Sequence, residues 1–350
     1  MFFSSFFRRS SMAGIVCLFA LSLLLGNFST AVAAADCKNR GDLDTRYCDD
    51  NGDLVADTPR DPGQWLDPDT LVFSYTPVTD PSVYENVFTE FMAYLAEKTG
   101  KKVKWYGAES YAAQVEAMRS GRLHVAGIST GPTPFGVNLA GFVPFGIMDG
   151  PKGFGYTLQL ITHKDSGIKK VSDLKDRNVA HVTPSSNSGN LAPRALFKDL
   201  GIIPDKDYKV IYSGKHDNSI MGVANKDYDA APIASTILDR MAAKGVVNRD
   251  DLRFIWESDP FPGTSYGYVY NLHPDLARNI MYAFYSFDWT GTGLEKEWGV
   301  IPWDKFSPIT YQDTWKVIRT IQKANGIVYS DEALKGLKVK KKKKKKKKKK

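Results

Sequence analysis

A run of hydroxyl and amide side chains between residues 183 and 193 is the segment of this chain best suited to chemistry. Four such residues stand in a row ahead of Gly189: Ser185, Ser186, Asn187 and Ser188. A helix is predicted to start just after them, and the first backbone N–H groups of a helix have no partner within it. These donors, the helix dipole and the polar side chains together favour a bound oxyanion. The alternative is an ordinary helix cap, which needs only one such side chain.

A second polar segment, residues 213–219, also lies between a predicted strand and a predicted helix. It should therefore lie at the same edge of the sheet, where α/β proteins bind their ligands. His216 can donate a hydrogen bond to an oxyanion, and Asp217 can accept a proton from a protonated one or orient His216. The alternative is that Asp217 only caps the next helix and His216 is a surface residue.

Further candidates lie where other predicted strands begin or end. They are Tyr75, Tyr111, Ser129, Thr130 and Tyr156. Taken singly, each aromatic residue is better explained as part of the core or the surface. Their shared position at strand ends favours a common site.

Alternating strands and helices must position these segments. The apolar patterns predict strands at 71–75, 102–106, 123–128, 156–162, 178–182, 209–212, 229–233, 253–257 and 266–270. Helices are predicted at 83–95, 111–119, 192–200, 218–225, 236–243, 276–287 and 311–325. Such alternation indicates parallel sheets with crossover helices. A chain of 350 residues with two such blocks suggests a bilobal protein, although the pattern does not show where the chain crosses between blocks.

Four motifs, in the correct order, make this chain similar to the phosphate/phosphite/phosphonate-binding proteins of ABC importers. The run from Ser186 to Pro193 matches that family's S-T-S-G-x-L-x-P signature, with Asn187 in the Thr place. Segments 214–217 and 224–230 match its G-x-H-x…A-N-x-x-x-D-A block. Segment 111–118 resembles its first-lobe Tyr-Ala helix, and Gly155-Tyr156 resembles its hinge-strand tyrosine. The resemblance runs from about residue 71 to residue 325.

The resemblance implies an α/β type II periplasmic-binding-protein fold, with two α/β lobes joined by a hinge. We expect lobe 1 at 69–157 and 262–337, and lobe 2 at 158–261. It also implies which residues contact the ligand. The oxyanion is held by Ser186, Asn187, Ser188 and His216, and Asp217 lies beside His216. Tyr111 and Tyr156 close over the ligand, and the weaker candidates are Ser129, Thr130 and Tyr75.

The same resemblance implies a small phosphorus oxyanion as ligand and the membrane permease of an ABC importer as partner. We find no acidic residue in the motifs that would hold an amine, so we expect phosphite, phosphate or a methylphosphonate-like phosphonate. A periplasmic sensor subunit with the same fold is an alternative function. A hydrolase using Ser186 and His216 is less well supported, because no G-x-S-x-G elbow or HExxH site is present. We predict no enzymatic activity, no cofactor and no metal.

The formal net charge of +8 comes from the carboxyl-terminal end of the chain. Residues 340–350 are an unbroken run of lysines, and we predict that 338–350 is a disordered polylysine tail. Without that run and the two arginines of the amino terminus, the body carries about −5. This charge gives nucleic-acid binding by the body little support, and we expect a monomer.

The amino-terminal residues 1–35 are predicted to be a secretory signal peptide. Arg8 and Arg9 precede an apolar stretch from Met12 to Leu25, and small residues near Ala35 offer a cleavage site. An uncleaved anchor is the alternative, but the stretch falls short of the roughly 20 residues that span a bilayer. We therefore expect a periplasmic protein.

Residues 36–68 are predicted to form an irregular extension that a Cys37–Cys48 disulfide ties down. Two cysteines remain after signal cleavage, and a disulfide is the default in an oxidising compartment. Free thiols, or a lipoprotein cysteine at Cys37, are the alternatives. The stretch Asp49–Asp53 resembles a calcium loop. It lacks the DxDxDG spacing and the later glutamate, which favours a simple turn.

Overall fold

A computed structural model of the protein describes residues 37–336. The predicted signal peptide, residues 1–35, and the predicted polylysine tail, residues 338–350, lie outside the described residues. Between residues 37 and 336, no helix combines the length and the apolar character needed to cross a bilayer.

The strands fall into two separate sheets. They are β1 Thr70–Tyr75, β2 Lys102–Trp105, β3 Val125–Ile128, β4 Phe142–Asp149, β5 Leu158–His163, β6 Asn178–His181, β7 Lys209–Tyr212, β8 Ala230–Ala234, β9 Leu252–Glu257, β10 Ser265–Val269 and β11 Lys305–Pro308. The first sheet has the order β11-β4-β10-β3-β1-β2, and the second has the order β7-β6-β8-β5-β9. We call the first sheet with its helices lobe 1, and the second sheet with its helices lobe 2.

The helices connect and cover these strands. They are α1 Ser82–Val87, α2 Thr89–Thr99, α3 Tyr111–Arg119, α4 Thr133–Ala140, α5 Ala192–Leu196, α6 His216–Ala224, α7 Ser235–Ala243, α8 Pro274–Ser286, α9 Gly293–Trp298, α10 Tyr311–Thr314, α11 Lys316–Ala324 and α12 Asp331–Gly336. A π-helical turn, Asn187–Leu191, directly precedes α5. Short 3-10 turns lie at Pro62–Gln64, Val171–Leu174 and Arg249–Asp251.

Parallel pairing places the polar segments at matching strand ends. In lobe 1, β1 pairs in parallel with β2 and β3, whereas in lobe 2, β6 pairs in parallel with β7 and β8. Each sheet also has antiparallel strands, because β10 pairs with β3 and β4, and β5 pairs with β8 and β9. The carboxyl ends of the parallel strands carry the loops that our sequence analysis selected.

The chain passes between the lobes twice, and the two crossing segments contact each other. It leaves lobe 1 after β4 and returns through β10. The crossings are joined where Tyr156 N–H donates to Phe261 O at 3.0 Å and Phe261 N–H donates to Tyr156 O at 2.8 Å. The predicted architecture of two α/β lobes joined by a hinge is confirmed. The residue boundaries of the lobes stay a prediction.

Aromatic packing dominates the core of lobe 1. Phe91 lies on α2 and Phe284 on α8, and their ring centroids are 4.5 Å apart. Phe306 on β11 packs 4.9 Å from Phe284. All three side chains are buried, and offset or edge contacts between aromatic rings add to the free energy gained by burial. This core holds α2 and α8 against the face of the first sheet.

The amino-terminal extension packs on lobe 1. Cys37 and Cys48 form the expected disulfide, with 5.5 Å between their Cα atoms. Tyr47 is buried and packs edge-on against Tyr270 at 4.8 Å, and Leu66 N–H donates to Asn271 O. The extension is thus part of the folded body.

Candidate functional site

Seven of the predicted site residues line one cavity between the lobes. The cavity has a volume of about 40 Å³. Lobe 1 and the crossing segment contribute Tyr75, Ser129, Thr130 and Tyr156, and lobe 2 contributes Ser186, Asn187 and His216. The loops after β1, β3, β6 and β7 therefore meet at one place, as strand-end positions predicted.

The π-helical turn brings Ser186 and Asn187 to the cavity wall. Ser186 precedes the turn, and its Oγ accepts a hydrogen bond from Gly189 N–H at 3.2 Å. A Cβ at position 189 would lie 2.4 Å from the Cγ2 of Val182, so only glycine allows this close packing. The predicted cap is present, and the Ser186 hydroxyl hydrogen remains free to donate elsewhere.

His216 is a neutral donor at the first residue of α6. Its Nδ1 accepts a hydrogen bond from Ala234 N–H at 3.3 Å, so the ring proton lies on Nε2. Nε2 is 3.4 Å from Ser186 Oγ. Burial lowers the pKa of His216 to about 3, and the charge of Arg240 acts in the same direction. The imidazole is therefore uncharged at neutral pH and presents one N–H group.

Asn187 links lobe 2 to the crossing segment. Its Nδ2 donates to the hydroxyl of Tyr156 at 3.2 Å. Its Oδ1 is buried and has no hydrogen-bond partner within residues 37–336. On the opposite wall, Thr130 Oγ1 donates to the carbonyls of Pro262 and Gly263. Polar groups thus face the cavity from both lobes.

Three predicted residues do not line the cavity: Ser188, Asp217 and Tyr111. Ser188 lies in the π-helical turn, and its Oγ is buried without a partner among the described residues. Asp217 lies in the first turn of α6 and accepts from Asn218 N–H. Burial raises the pKa of Tyr111, and a side-chain hydrogen bond with Ser129 opposes that rise.

Arg240, which was not predicted from the sequence, is the cation of the site. Arg240 lines the cavity from α7 and is 4% exposed. Its Nη1 lies 2.5 Å from Glu297 Oε1 on α9, and its Nη2 donates to the hydroxyl of Tyr84 at 3.3 Å. Burial alone would lower the pKa of Arg240, but Tyr84, Tyr75 and Glu297 raise it, so the guanidinium stays charged.

The electrostatic balance of the site favours an anion. Lys244 shares Glu297 with Arg240, at 2.5 Å from Oε2, so the carboxylate is surrounded by two cations. In residues 37–336, no aspartate or glutamate lines the cavity, whereas Arg240 does. Thr236, one turn before Arg240, closely follows a strand and could have been predicted from that position, as the other site residues were. Arg240 lies further along the helix, so its position in the sequence does not mark it as a site residue.

The lobes touch directly beside the cavity. A Cβ on Gly131 of lobe 1 would lie 2.1 Å from the carbonyl oxygen of Ser185 and 2.8 Å from Asn187 N, both in lobe 2. Gln322 and Trp315 hold this loop from behind, because their side chains donate to Gly131 O and Thr130 O. The backbones of the two lobes lie so close together at Gly131 that no side chain fits there.

Comparisons with known proteins identify relatives of this chain. The family model for the phosphonate periplasmic substrate-binding proteins of ABC transporters matches residues 73–315. The phosphate-import protein PhnD of Mycolicibacterium smegmatis is 28% identical over an alignment of 263 residues that covers 67% of this chain and 81% of that protein. The phosphonates-binding periplasmic protein of Escherichia coli is 28% identical over 203 residues, 57% of this chain and 60% of that protein.

Solved structures show the same fold. The binding component of an ABC phosphonate transporter from Pseudomonas aeruginosa has a TM-score of 0.65 and 22% identity, covering 74% of this chain and 88% of that one. PhnD1 from Prochlorococcus marinus, in complex with methylphosphonate, has a TM-score of 0.66 and 17% identity, covering 75% and 100%. The fold is that of the type II periplasmic binding proteins. The chain belongs to the family of phosphonate periplasmic substrate-binding proteins of ABC transporters.

Proposed function

We propose that this protein captures a compact, amine-free phosphorus oxyanion between its lobes and delivers it to the membrane permease of an ABC importer. One observation carries the proposal: His216 and Ser186, joined by a hydrogen bond between Nε2 and Oγ, line a cavity that Arg240 also lines. Hydrogen bonds to a charged acceptor are about twice as strong as neutral ones. The ligands that fit this arrangement are phosphite, phosphate and methylphosphonate.

The charge of the cavity wall supports a ligand without an amine. An aminoalkylphosphonate would bring an ammonium group into a space whose charged lining group is Arg240. A buried ammonium group needs an anionic or hydrogen-bonding partner, and an unpaired one is strongly unfavourable. Glu297, the nearest carboxylate to Arg240, is already shared by Arg240 and Lys244.

The size of the cavity supports the same class of ligand. A volume of about 40 Å³ holds about three water-sized groups, at 10–15 Å³ each. A tetrahedral anion with one small substituent fits such a space in the contacting arrangement of the lobes. A sugar phosphate or nucleotide would need a much larger opening.

Calorimetric titration with phosphite, phosphate, methylphosphonate and 2-aminoethylphosphonate tests the proposal. We expect the tightest ligand to be one of the first three, with 2-aminoethylphosphonate at least tenfold weaker, about 1.4 kcal/mol. His216→Ala should weaken the tightest ligand at least tenfold. His273→Asn is the matched control, because His273 caps α8, does not line the cavity, and asparagine preserves a cap.

Two outcomes would overturn the proposal. One is a preference for 2-aminoethylphosphonate over all three amine-free ligands. The other is unchanged affinity in His216→Ala. Transport is tested separately, because a deletion strain should grow on the preferred ligand as its phosphorus source only when the gene is restored.

We also propose that the chain is exported with cleavage near Ala35 and acts as a monomer. Export is supported by the amino-terminal pattern and by the periplasmic character of the family. Mass spectrometry of the secreted protein and its elution volume in size-exclusion chromatography check both points. A mature chain that still begins at Met1, or elution as a dimer, would contradict them.

A further inference from the structure

The amino-terminal extension contains four oxygen-bearing side chains, two or four positions apart, in a tight loop. They are Asp49, Asn51, Asp53 and Asp57. From the sequence we expected a simple turn here, because the full DxDxDG spacing and the later glutamate of a calcium loop are absent. The loop lies on the lobe 1 side of the molecule, next to the disulfide at Cys48, and takes no part in the oxyanion cavity.

Asp49 is the unusual residue of this loop. Its side chain is 0% exposed, yet its Oδ1 has no hydrogen-bond partner in the part of the chain that the structure describes. A buried carboxylate oxygen without a partner is costly, and such groups in native proteins are normally satisfied by a donor, a water molecule or an ion. Asp49 therefore indicates that something binds in the loop.

The backbone of the loop makes the turn that a calcium loop needs, although the residue at the turn differs. With Asp49 as position 1, Leu54 is position 6, where such loops have a glycine that allows a sharp turn. Leu54 has φ of 70°, and its N–H donates to Asp49 Oδ2 at 3.2 Å. Asn51 Oδ1 accepts from Asp53 N–H, and Asp53 Oδ1 accepts from Val55 N–H. The chain thus curls around the position 1 carboxylate.

Although position 6 is not glycine, five oxygen ligands fall at positions that calcium loops use. Asp49, Asn51 and Asp53 occupy positions 1, 3 and 5, the carbonyl of Val55 occupies position 7, and Asp57 occupies position 9. Position 12 is Arg60, which pairs with Asp50 instead of ligating. The bidentate glutamate is replaced, so water would complete the coordination and the affinity would be modest.

We propose that the loop Asp49–Asp57 binds one Ca²⁺ ion through the side chains of Asp49, Asn51, Asp53 and Asp57 and the carbonyl of Val55. Hard oxygen ligands at irregular spacing suit Ca²⁺ better than Mg²⁺, which demands near-ideal octahedral geometry. Asp53 Oδ2 now accepts from Asn51 Nδ2, and Asp57 Oδ2 accepts from Asp50 N–H. Binding exchanges these hydrogen bonds for bonds to the ion.

A neighbouring group is not the site. Cys37, Cys48 and Asp50 lie close enough together to ligate a metal, but the two sulfur atoms are joined in the disulfide and have no thiolate to offer. The function of the ion in the loop would be structural. It would fix the extension, and with it Tyr47, against lobe 1.

Calcium titration of the chelator-treated, full-length protein, without any phosphorus ligand, tests this proposal independently of the oxyanion site. We expect one site with a dissociation constant of about 10⁻⁴–10⁻³ M, the range of extracellular calcium modules. Thermal unfolding should shift upward by a few degrees in about 10 mM CaCl₂, because a ligand that binds only the folded state stabilises it. The same concentration of MgCl₂ should give a smaller shift.

Substitutions locate the ion. Asp49→Asn and Asp53→Asn should each weaken Ca²⁺ binding at least tenfold and abolish the thermal shift. Asn at position 49 can still accept from Leu54 N–H, so this variant should fold. Asp67→Asn is the control, since Asp67 is an exposed residue of the same extension that pairs with Lys101.

The proposal is wrong if the wild-type protein shows neither binding heat nor a thermal shift up to about 10 mM Ca²⁺, ten times the weakest dissociation constant expected. It is also wrong if Ca²⁺ and Mg²⁺ shift the unfolding temperature equally. A shift that persists in both the Asp49 and the Asp53 variants would place the ion elsewhere.

Discussion

Arg240 on α7 and Glu297 on α9 form a buried ion pair that joins the two lobes, with 2.5 Å between Nη1 and Oε1. Both side chains are almost completely buried. The guanidinium also lies over the ring of Trp298, 5.4 Å from its centroid. Arg240 therefore has two roles: it holds lobe 2 against lobe 1, and it supplies positive charge to the oxyanion cavity.

Replacing Arg240 should separate these two effects. In Arg240→Met we expect oxyanion affinity to fall at least tenfold, about 1.4 kcal/mol. The free energy of unfolding should fall by about 2 kcal/mol, because Glu297 loses its buried hydrogen-bond partner but keeps Lys244. In the double variant Arg240→Met/Glu297→Gln, stability should recover while affinity stays low. Calorimetry and urea unfolding measure the two quantities, and full affinity in Arg240→Met would rule out its part in binding.

Gly131→Ala should weaken ligand binding without unfolding the protein. The new Cβ would lie 2.1 Å from Ser185 O, so the lobes must move apart to admit it. We expect at least a tenfold loss of affinity and a larger radius of gyration in the presence of ligand, measured by X-ray scattering. Gly146→Ala is the control, because its Cβ would meet its nearest neighbours at 3.6 Å, an ordinary contact. Equal affinity in both variants would contradict this expectation.

Ser188→Ala tests the part of the signature that does not line the cavity. Its hydroxyl is buried and unpartnered among the described residues, so its removal costs no hydrogen bond within the protein. If the ligand satisfies this hydroxyl, as the family signature implies, affinity should fall at least tenfold while the unfolding temperature stays the same or rises. Asp217→Asn, outside the cavity, should change neither quantity. Unchanged affinity in Ser188→Ala would remove Ser188 from the site.

Acid should destabilise the protein partly through two buried histidines. Burial lowers the pKa of His216 to about 3 and that of His181 to about 4, from an ordinary value of 6.5. Between pH 6.5 and about 4 the unfolded chain binds these protons and the folded chain does not. The stabilisation is therefore complete above pH 6.5 and is lost as the pH falls.

Urea unfolding at pH 7, 5.5 and 4.5 measures this effect. The double variant His181→Gln/His216→Gln should be less stable than wild type at pH 7, because His181 bonds Asn190 and Tyr208. It should nevertheless lose less stability on acidification. Equal losses in the two proteins would show that carboxylates alone cause the acid sensitivity.

The local pattern of apolar and polar residues was sufficient to predict the alternation of strands and helices and the loops that line the cavity. Polar residues after apolar strands marked Ser186, Asn187, His216 and Ser129, because parallel strands deliver their carboxyl ends to one edge of a sheet. The helix α4 and strand β4 were not predicted. All eight residues of α4 are buried, so the segment has no polar face and no helical period to detect.

The order of residues alone specifies which loops carry hydrogen-bond donors, because these depend on neighbouring elements of the chain: a strand, a turn and the first residues of a helix. The charge of the site, in contrast, depends on tertiary packing. Arg240 and Glu297 are 57 residues apart in the chain and lie in different lobes, so their pairing depends on how the lobes pack. The neutrality of His216 also depends on packing, because desolvation by surrounding residues lowers its pKa.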